Sequence, residues 1–305
     1  MSHKIQHYYF IVNPYASNGL KASKNLNQLL EKTNLDYDVL ETTEQSNIKD
    51  IISKLQPYLQ EKDIIVSVGG DGTISEVVQA VNELNIDNPV GTIPAGSGRD
   101  FARAHDIPMD FEDAFYHLLD VQSPRELDVI ITTTNENEKN YVVNSIGVGV
   151  DGKVIHNLHK DRGDSKISQF DYLKDTLKSL FKQKPFDAEV TINGHKLNIY
   201  QTVTLLFMNQ GYIGGGINVH PDTVPNDGYI DIVFFHNLNA FDLITVIPKL
   251  MFNQTHLSHP KTYTLKAKEL EVTVRADEYW QADGETLGNE IKTFHMKTTK
   301  QLYWI

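Results

Sequence analysis

Four short apolar runs rich in β-branched and aromatic residues recur through the first hundred positions, at 8–12, 37–40, 64–68 and 89–93. Stretches of helical periodicity lie between them, at 20–32, 48–59 and 75–84. Runs that are apolar at nearly every position belong to strands buried on both faces, and strands separated by helix-length segments pair in parallel. The alternation therefore predicts an α/β domain whose sheet is covered by helices on both sides. After about Asp128 the texture changes. Residues 129–134 and 141–145 read as a hairpin around a polar loop, and one helical stretch follows at 167–182. Strands are then expected at 188–192, 201–208, 229–235, 261–267, 271–275 and 291–296, with Asn193-Gly194 as a two-residue hairpin turn. The reading is an α/β domain over 1–130, a β-rich domain over 131–290, and a last segment, 291–305, returning toward the first domain. A length of 305 residues suits two such cores.

Bulk properties narrow the function. The net charge of −12 argues against a nucleic-acid binder, because a phosphate backbone needs a basic footprint. With no cysteine there is no disulfide, thiol catalysis or cysteine zinc site. No window approaches the roughly 20 apolar residues of a spanning helix, and residues 1–10 contain no signal core. A soluble, cytoplasmic protein is expected, with any membrane contact peripheral.

The run Gly69-Gly70-Asp71-Gly72-Thr73 directly follows the third strand and precedes a helix. Glycines there let the backbone turn tightly and bring N–H groups against a ligand, and the helix start adds partial positive charge, so a phosphate is favoured. Thr73 and Glu76 have the spacing of a capping box, the preferred reading of Glu76. Asp71 admits two readings. It is a turn former, or it is a carboxylate among phosphate-binding amides, which requires a cation such as Mg²⁺ between them. A second glycine turn, Gly96-Ser97-Gly98-Arg99-Asp100, follows the fourth strand. Two such turns at the carboxyl edge of one sheet are a stronger signal than either alone. There is no Gly-x-x-x-x-Gly-Lys-Ser/Thr, so a P-loop is not indicated, and the protein-kinase signatures are absent too.

The first glycine turn resembles the signature of the diacylglycerol kinase catalytic-domain family, which includes sphingosine kinases and bacterial lipid kinases of the DgkB and YegS type. The likeness runs along nearly the whole chain. Asn13-Pro14 resembles the first nucleotide loop, and residues 96–103 resemble a Gly-Thr-x-Asn-Asp-Phe-Ala-Arg motif. Residues 126–129 resemble the Asp-bearing strand at the domain junction. Gly214-Gly215-Gly216, Pro221-Asp222 and Asn226-Asp227-Gly228 resemble one later block, and Asp283-Gly284-Glu285 resembles the last motif. Two departures stand out: Arg99 where the family has Asn, and a differently spaced first loop.

The resemblance implies a fold like that of NAD kinase and phosphofructokinase, a β-sandwich second domain, and an active site in the cleft between them. It implies Mg²⁺-dependent transfer of the γ-phosphoryl of ATP to the hydroxyl of diacylglycerol or a similar lipid alcohol, in phospholipid biosynthesis. Glu285 takes the proton-acceptor role, although exchange of roles with Asp71 stays open. Asp71, Asp100 and Asp128 would organise nucleotide and metal. Nucleotide contacts fall on Asn13, Thr42, Gly69, Gly70, Asp71, Gly72, Thr73, Ser75 and Ser97. A second Mg²⁺ would take Val224, Asp227 and Tyr229, against the plain reading of 226–228 as a hairpin turn. Trp280 and Ala282 would form an apolar wall beside Glu285. Arg99 would neutralise Asp100 or contact phosphate. The alternatives are a small-molecule kinase of the NAD-kinase type and a binding protein that has lost catalysis.

In the 167–182 stretch, Phe170, Leu173, Leu177, Leu180 and Phe181 share a face, with Lys174, Lys178 and Lys182 beside it. A core-facing helix with a solvated lysine edge is the preferred reading; docking to anionic lipid is the other. His156, His159, His195, His220, His236, His256 and His259 lack ligand spacing and read as surface residues. An exposed edge strand in the second half would permit a homodimer.

Overall fold

The computed structural model describes residues 7–16, 18–134, 138–162, 178–180, 182–250 and 254–305. The chain divides into two compact units, Met1–Leu127 with Lys300–Ile305, and Asp128–Thr299.

In the first unit, strands β1 (Tyr8–Val12), β2 (Tyr37–Glu41), β3 (Ile64–Gly69) and β4 (Val90–Pro94) form a parallel sheet in the order β2-β1-β3-β4. Tyr303 and Trp304, at the end of the last strand of the chain, extend it in parallel beside Val90 and Gly91. β3 and β4 are buried at every position, as their uninterrupted apolar runs require. Helices α1 (Gly19–Leu30), α2 (Ile48–Leu55), α3 (Asp71–Glu83), α4 (Asp100–Ala104) and α5 (Phe111–Asp120) supply the rest of the core. Phe10, Leu26, Val66, Phe115 and Tyr303 are all fully enclosed there. Trp304 is anchored by its indole N–H, which donates to the Leu118 carbonyl over 3.0 Å.

Two helical expectations change, and one helix is new. The 48–59 stretch is α-helical only to Leu55, because Pro57 lacks an N–H and the chain tightens into a 3₁₀ turn over Gln56–Tyr58. The helix expected from Ser75 begins at Asp71, and its N-cap is Gly70 with no side-chain cap. Thr73 and Glu76 therefore form no capping box. α5 has a clear Asp110 cap, whose carboxylate accepts from the amides of Glu112 and Asp113, yet it was not anticipated.

The second unit is β-rich, as expected. β7 (Ser145–Gly149), β8 (Phe186–Ile192) and β9 (His195–Met208) pair antiparallel, and β12 (Ile230–His236) joins β9 to β13 (Thr262–Ala267). β14 (Glu269–Val274) joins β8 to β17, which begins at Lys292. β15 (Trp280–Ala282) and β16 (Glu285–Gly288) make a hairpin beside β7. β5 (Arg125–Thr134) and β6 (Lys139–Val142) form the expected hairpin, with Ile130 opposite Val142, and β10 (Tyr212–Ile213) pairs with β11 (Ile217–Asn218). The Asn193-Gly194 turn forms as well; both residues have positive φ, the geometry of a type I′ turn. Two helices not read from the sequence, α6 (Val150–Arg162) and Ala240–Pro248, cover the sheet. Of the 167–182 stretch, residues 167–177 and Phe181 lie outside the described residues, while 178–180 and 182 are helical.

The surface reading of the histidines fails for three of them. His220, His256 and His259 are buried. A neutral imidazole can be buried once a ring nitrogen finds a partner: His256 Nε2 meets the Val219 carbonyl at 2.6 Å, and His220 Nδ1 meets the Thr223 hydroxyl at 3.0 Å, while the buried His256 Nδ1 bonds to no group among the described residues. His156 is half-buried and stacks on Tyr279. The side chain of His159 lies outside the described residues.

Candidate active site

The glycine turns of the first unit are built against each other. The Gly69 carbonyl accepts from the amides of Ala95, at 2.6 Å, and Gly96, at 3.3 Å. A Cβ on Gly96 would lie 2.4 Å from the Gly70 Cα, so this approach is open only to glycine. Gly69 is equally constrained, since a Cβ there would lie 2.2 Å from the Thr73 hydroxyl. With Gly70 extended at the N-cap and Asp71-Gly72-Thr73 forming the first turn of α3, the run is itself the helix start. The Thr73 amide turns back to the Gly70 carbonyl at 3.0 Å, and the amides ahead of it, with the helix dipole, make an anion site.

These turns and the first loop line a groove of about 340 Å³. Asn13, Gly69, Gly70, Asp71, Gly72, Thr73 and Ser97 all face it. Asn13 Oδ1 accepts from the amides of Tyr15 (3.0 Å) and Ala16 (3.2 Å) and from the Thr42 hydroxyl (3.2 Å). Its oxygen is thus committed to shaping the loop, which leaves the amide donors for a ligand. Thr42 belongs to the site through Asn13. Ser75 sits further along α3 and does not line the groove. Asn18 and Gly19, which sequence reading passed over, do line it. Asn18 Nδ2 ties the first loop to the Ala95 carbonyl at 2.8 Å, and a Gly19 Cβ would lie 2.0 Å from the Asn13 carbonyl oxygen. The irregular spacing of the first loop was the available signal.

Asp71 does not stand among the groove amides as a bare charge. Its Oδ1 accepts from the Phe101 amide at 3.1 Å, at the start of α4. Although the residue keeps some surface, its carboxyl is enclosed. Burial raises its pKa, against the amides of residues 99–101 and the charge of Arg103. Of the two readings of Asp71, the structural one has partners here: helix-start amides hold its carboxylate. Asp100 is buried and pairs with Arg103 at 3.1 Å. Arg99 has a different place from either one expected. It occupies the left-handed region (φ 58°) and donates from Nη1 to the Met109 carbonyl at 2.7 Å. That conformation suits Asn, the residue usual at this motif position, better than Arg.

In the second unit Asp128 is buried. Its Oδ2 accepts from the Gly228 amide at 2.8 Å, and its own amide donates to the Pro225 carbonyl at 2.7 Å. Asn209, also missed in the sequence, donates from Nδ2 to the Asp128 carbonyl at 2.7 Å. Asp283 and Gly284 form the tight turn between β15 and β16, both with positive φ. The Asp283 carboxylate collects three successive amides, those of Val143, Asn144 and Ser145, at 2.7–3.1 Å. Glu285, opposite Ala282, is exposed. Trp280 is fully buried and packs on Phe294 with ring centroids 4.6 Å apart, so it forms no wall against that carboxylate.

The 224–229 turn was expected to hold Mg²⁺. Asp227 Oδ1 accepts from the Tyr229 amide at 3.0 Å, and Oδ2 lies 3.0 Å from Lys266 Nζ. Both oxygens are engaged and a cationic side chain occupies the outer one, so the residues as they stand do not fit a divalent ion. No group of three or more acidic or histidine side chains with metal-site spacing occurs among the described residues.

Residues 7–131 match the family model described as the diacylglycerol kinase catalytic domain, and residues 144–298 match that of the YegS C-terminal NAD kinase beta sandwich-like domain. A chain from Staphylococcus epidermidis named "Putative lipid kinase" is 28% identical over 198 residues, 64% of this chain and 61% of its own. A Staphylococcus haemolyticus chain named "Putative lipid kinase SH2167" is 30% identical over 184 residues, 60% of this chain and 56% of its own. The matches thus span about three fifths of those relatives. The structure named "A putative diacylglycerol kinase from Bacillus anthracis str. Sterne" superposes with a TM-score of 0.74 over 97% of both chains at 22% identity, a likeness of fold. The two models follow one another along most of the chain, the second over half of its length: the chain belongs to the family that joins a diacylglycerol kinase catalytic domain to a YegS C-terminal NAD kinase beta sandwich-like domain.

Proposed function

We propose that the protein is a lipid kinase that transfers the γ-phosphoryl group of ATP, taken up as its magnesium salt, to the hydroxyl of diacylglycerol or a similar lipid alcohol. The observation that carries this reading is the groove at the Gly70–Gly96 contact. A nucleotide triphosphate is the ligand that needs several amide donors at a helix start and a floor without side chains. In the proposed reaction Glu285 accepts the proton of the lipid hydroxyl. The freed oxygen attacks the γ-phosphorus, and the bond to the β-phosphate oxygen breaks to release ADP. Asn13, the 69–73 turn and Ser97 hold the phosphates, Asp71 and Asp100 keep the second glycine turn in register, and the charge of Asp71, which lines the groove, would order the magnesium salt of the nucleotide. Asp128 holds the turn at Gly228.

The lipid half of the proposal draws on the names of the relatives and on an apolar cavity in the second unit. Val154, Leu206, Ile217, Phe235 and Val246 line it, with Asp151 as its charged residue. An apolar lining of this kind suits a hydrocarbon chain and not a dinucleotide. The test is transfer of radiolabelled γ-phosphate from ATP into a panel of lipid extracts, pure diacylglycerol and NAD, with Asp71→Ala as control. Label in a lipid product that the control does not form supports the reading. Label in NAD alone, or in no acceptor, sinks it. A lipid substrate of this kind implies peripheral contact with a bilayer surface from the cytoplasm.

A further inference from the structure

Among the buried charges of the second unit, one group has a geometry that the kinase reading does not use. Asp231 lies on β12 directly across the antiparallel ladder from Lys266 on β13, so the sheet register sets the lysine beside it. The Lys266 ammonium is 3.4 Å from Asp231 Oδ1 and 3.0 Å from Asp227 Oδ2. Asp231 is fully buried, and neither of its oxygens accepts a conventional hydrogen bond. Among the described residues the only other cation-forming group near it is His220, whose Nε2 is 3.9 Å from Oδ1. A buried carboxylate without hydrogen bonds needs a counter-charge. An ammonium with three donors suits the space between two carboxylates.

We infer that Lys266 is the resident cation of the 224–229 turn, and that this turn is organised by a lysine and not by a divalent metal. Asp227 Oδ1 is held by the Tyr229 amide, and the Asp227 amide reaches back to the Val224 carbonyl at 3.5 Å. Mg²⁺ demands near-ideal octahedral oxygen ligation at close range, and here it would have to displace the ammonium from Oδ2. A second ammonium, that of Lys268, stands 5.1 Å from the Tyr229 ring centroid and adds to the positive charge around the turn. The turn matters because its Gly228 amide donates to Asp128, while the Gly228 carbonyl accepts from the Thr298 hydroxyl at 3.2 Å. Lys266 is thus a positioning residue, acting on Asp128 through Asp227 and the turn. The assignment is independent of the kinase reading, because it concerns what holds this turn in the nucleotide-free chain.

The experiment measures thermal unfolding of the full chain, without nucleotide, in EDTA and in millimolar MgCl₂, for the wild type, K266M, K266R and D227N. The wild type and K266R are expected to unfold at one temperature in both buffers. K266M is expected to lose roughly 2–4 °C in EDTA and to regain it in Mg²⁺, since removing the ammonium leaves two carboxylates facing each other, a vacancy that a divalent ion can fill. D227N is expected to lose stability equally in both buffers. A wild type stabilised by Mg²⁺, with the gain abolished in D227N, would show a metal at this turn and overturn the inference. So would a K266M protein as stable as the wild type and indifferent to Mg²⁺. If K266M does not fold, the comparison of wild type with D227N still decides the matter. None of these readouts depends on phosphoryl transfer, so failure here and failure of the kinase reading are distinguishable.

Discussion

The amide of Phe101 donates to the Asp71 carboxylate over 3.1 Å, which joins the first residue of helix α3 to the start of helix α4. A residue that looks in sequence like part of a phosphate loop thereby fastens one glycine turn to the next. Asp71→Ala leaves the Phe101 amide without its partner, at a cost of about 1–3 kcal/mol. Chemical denaturation should register that loss, and the phosphotransfer assay should register loss of activity. Asp71→Asn, which keeps an acceptor oxygen, should recover most of the stability and little of the activity. Equal recovery of both would reduce Asp71 to a structural cap.

The contact between Gly70 and Gly96 makes a contrasting pair of alanine substitutions. Gly96→Ala puts a methyl 2.4 Å from backbone, so the turns must part, at about 1–3 kcal/mol of stability and with a raised KM for ATP. Gly72→Ala meets nothing within 4 Å and sits at a helical position, so stability should hold or rise slightly. Unfolding curves and ATP titrations of the two variants test this; similar effects in both would show that the close approach is not what demands glycine.

Asp283 and Glu285 lie two residues apart and should behave oppositely. Asp283→Asn weakens a carboxylate that three amides share, and should lower the unfolding free energy by about 1–3 kcal/mol. Glu285→Gln changes an exposed side chain, so stability should shift by no more than about 0.5 kcal/mol while lipid phosphorylation falls at least about 100-fold. An active Glu285→Gln enzyme would remove Glu285 from the proton-acceptor role.

His105 gives the first unit a pH dependence. Burial, helped by the charge of Arg125, pushes its pKa down to about 3 from 6.5. The folded state holds the ring neutral while the unfolded chain protonates it near pH 6.5. The unfolded state therefore binds the extra proton, and stability is lost as pH falls from 6.5 toward 3, by up to about 1.4 kcal/mol per pH unit. Urea midpoints across that range check it. His105→Leu keeps the contact with the Phe101 ring, 4.4 Å away in the native protein, and should flatten the slope.

The amino-acid sequence by itself determined the strand and helix alternation of the first unit, the β-rich second unit, and the two glycine turns with their phosphate chemistry. These are legible because apolar periodicity and glycine act over a few neighbouring residues. It also carried the Asn193-Gly194 turn, since positive φ is a local requirement. Contacts between distant segments were decided only by tertiary structure. That the helix starts at Asp71 follows from Gly70 backing onto Gly96, a contact across 26 positions of chain. That His220, His256 and His259 are buried follows from how strands and helices close over them, which ligand spacing does not report. The lysine between Asp227 and Asp231 follows from the pairing of β12 with β13. In each case the deciding energy is burial or the pairing of charge between segments far apart in the chain, and local pattern holds no record of which distant segment will supply the partner.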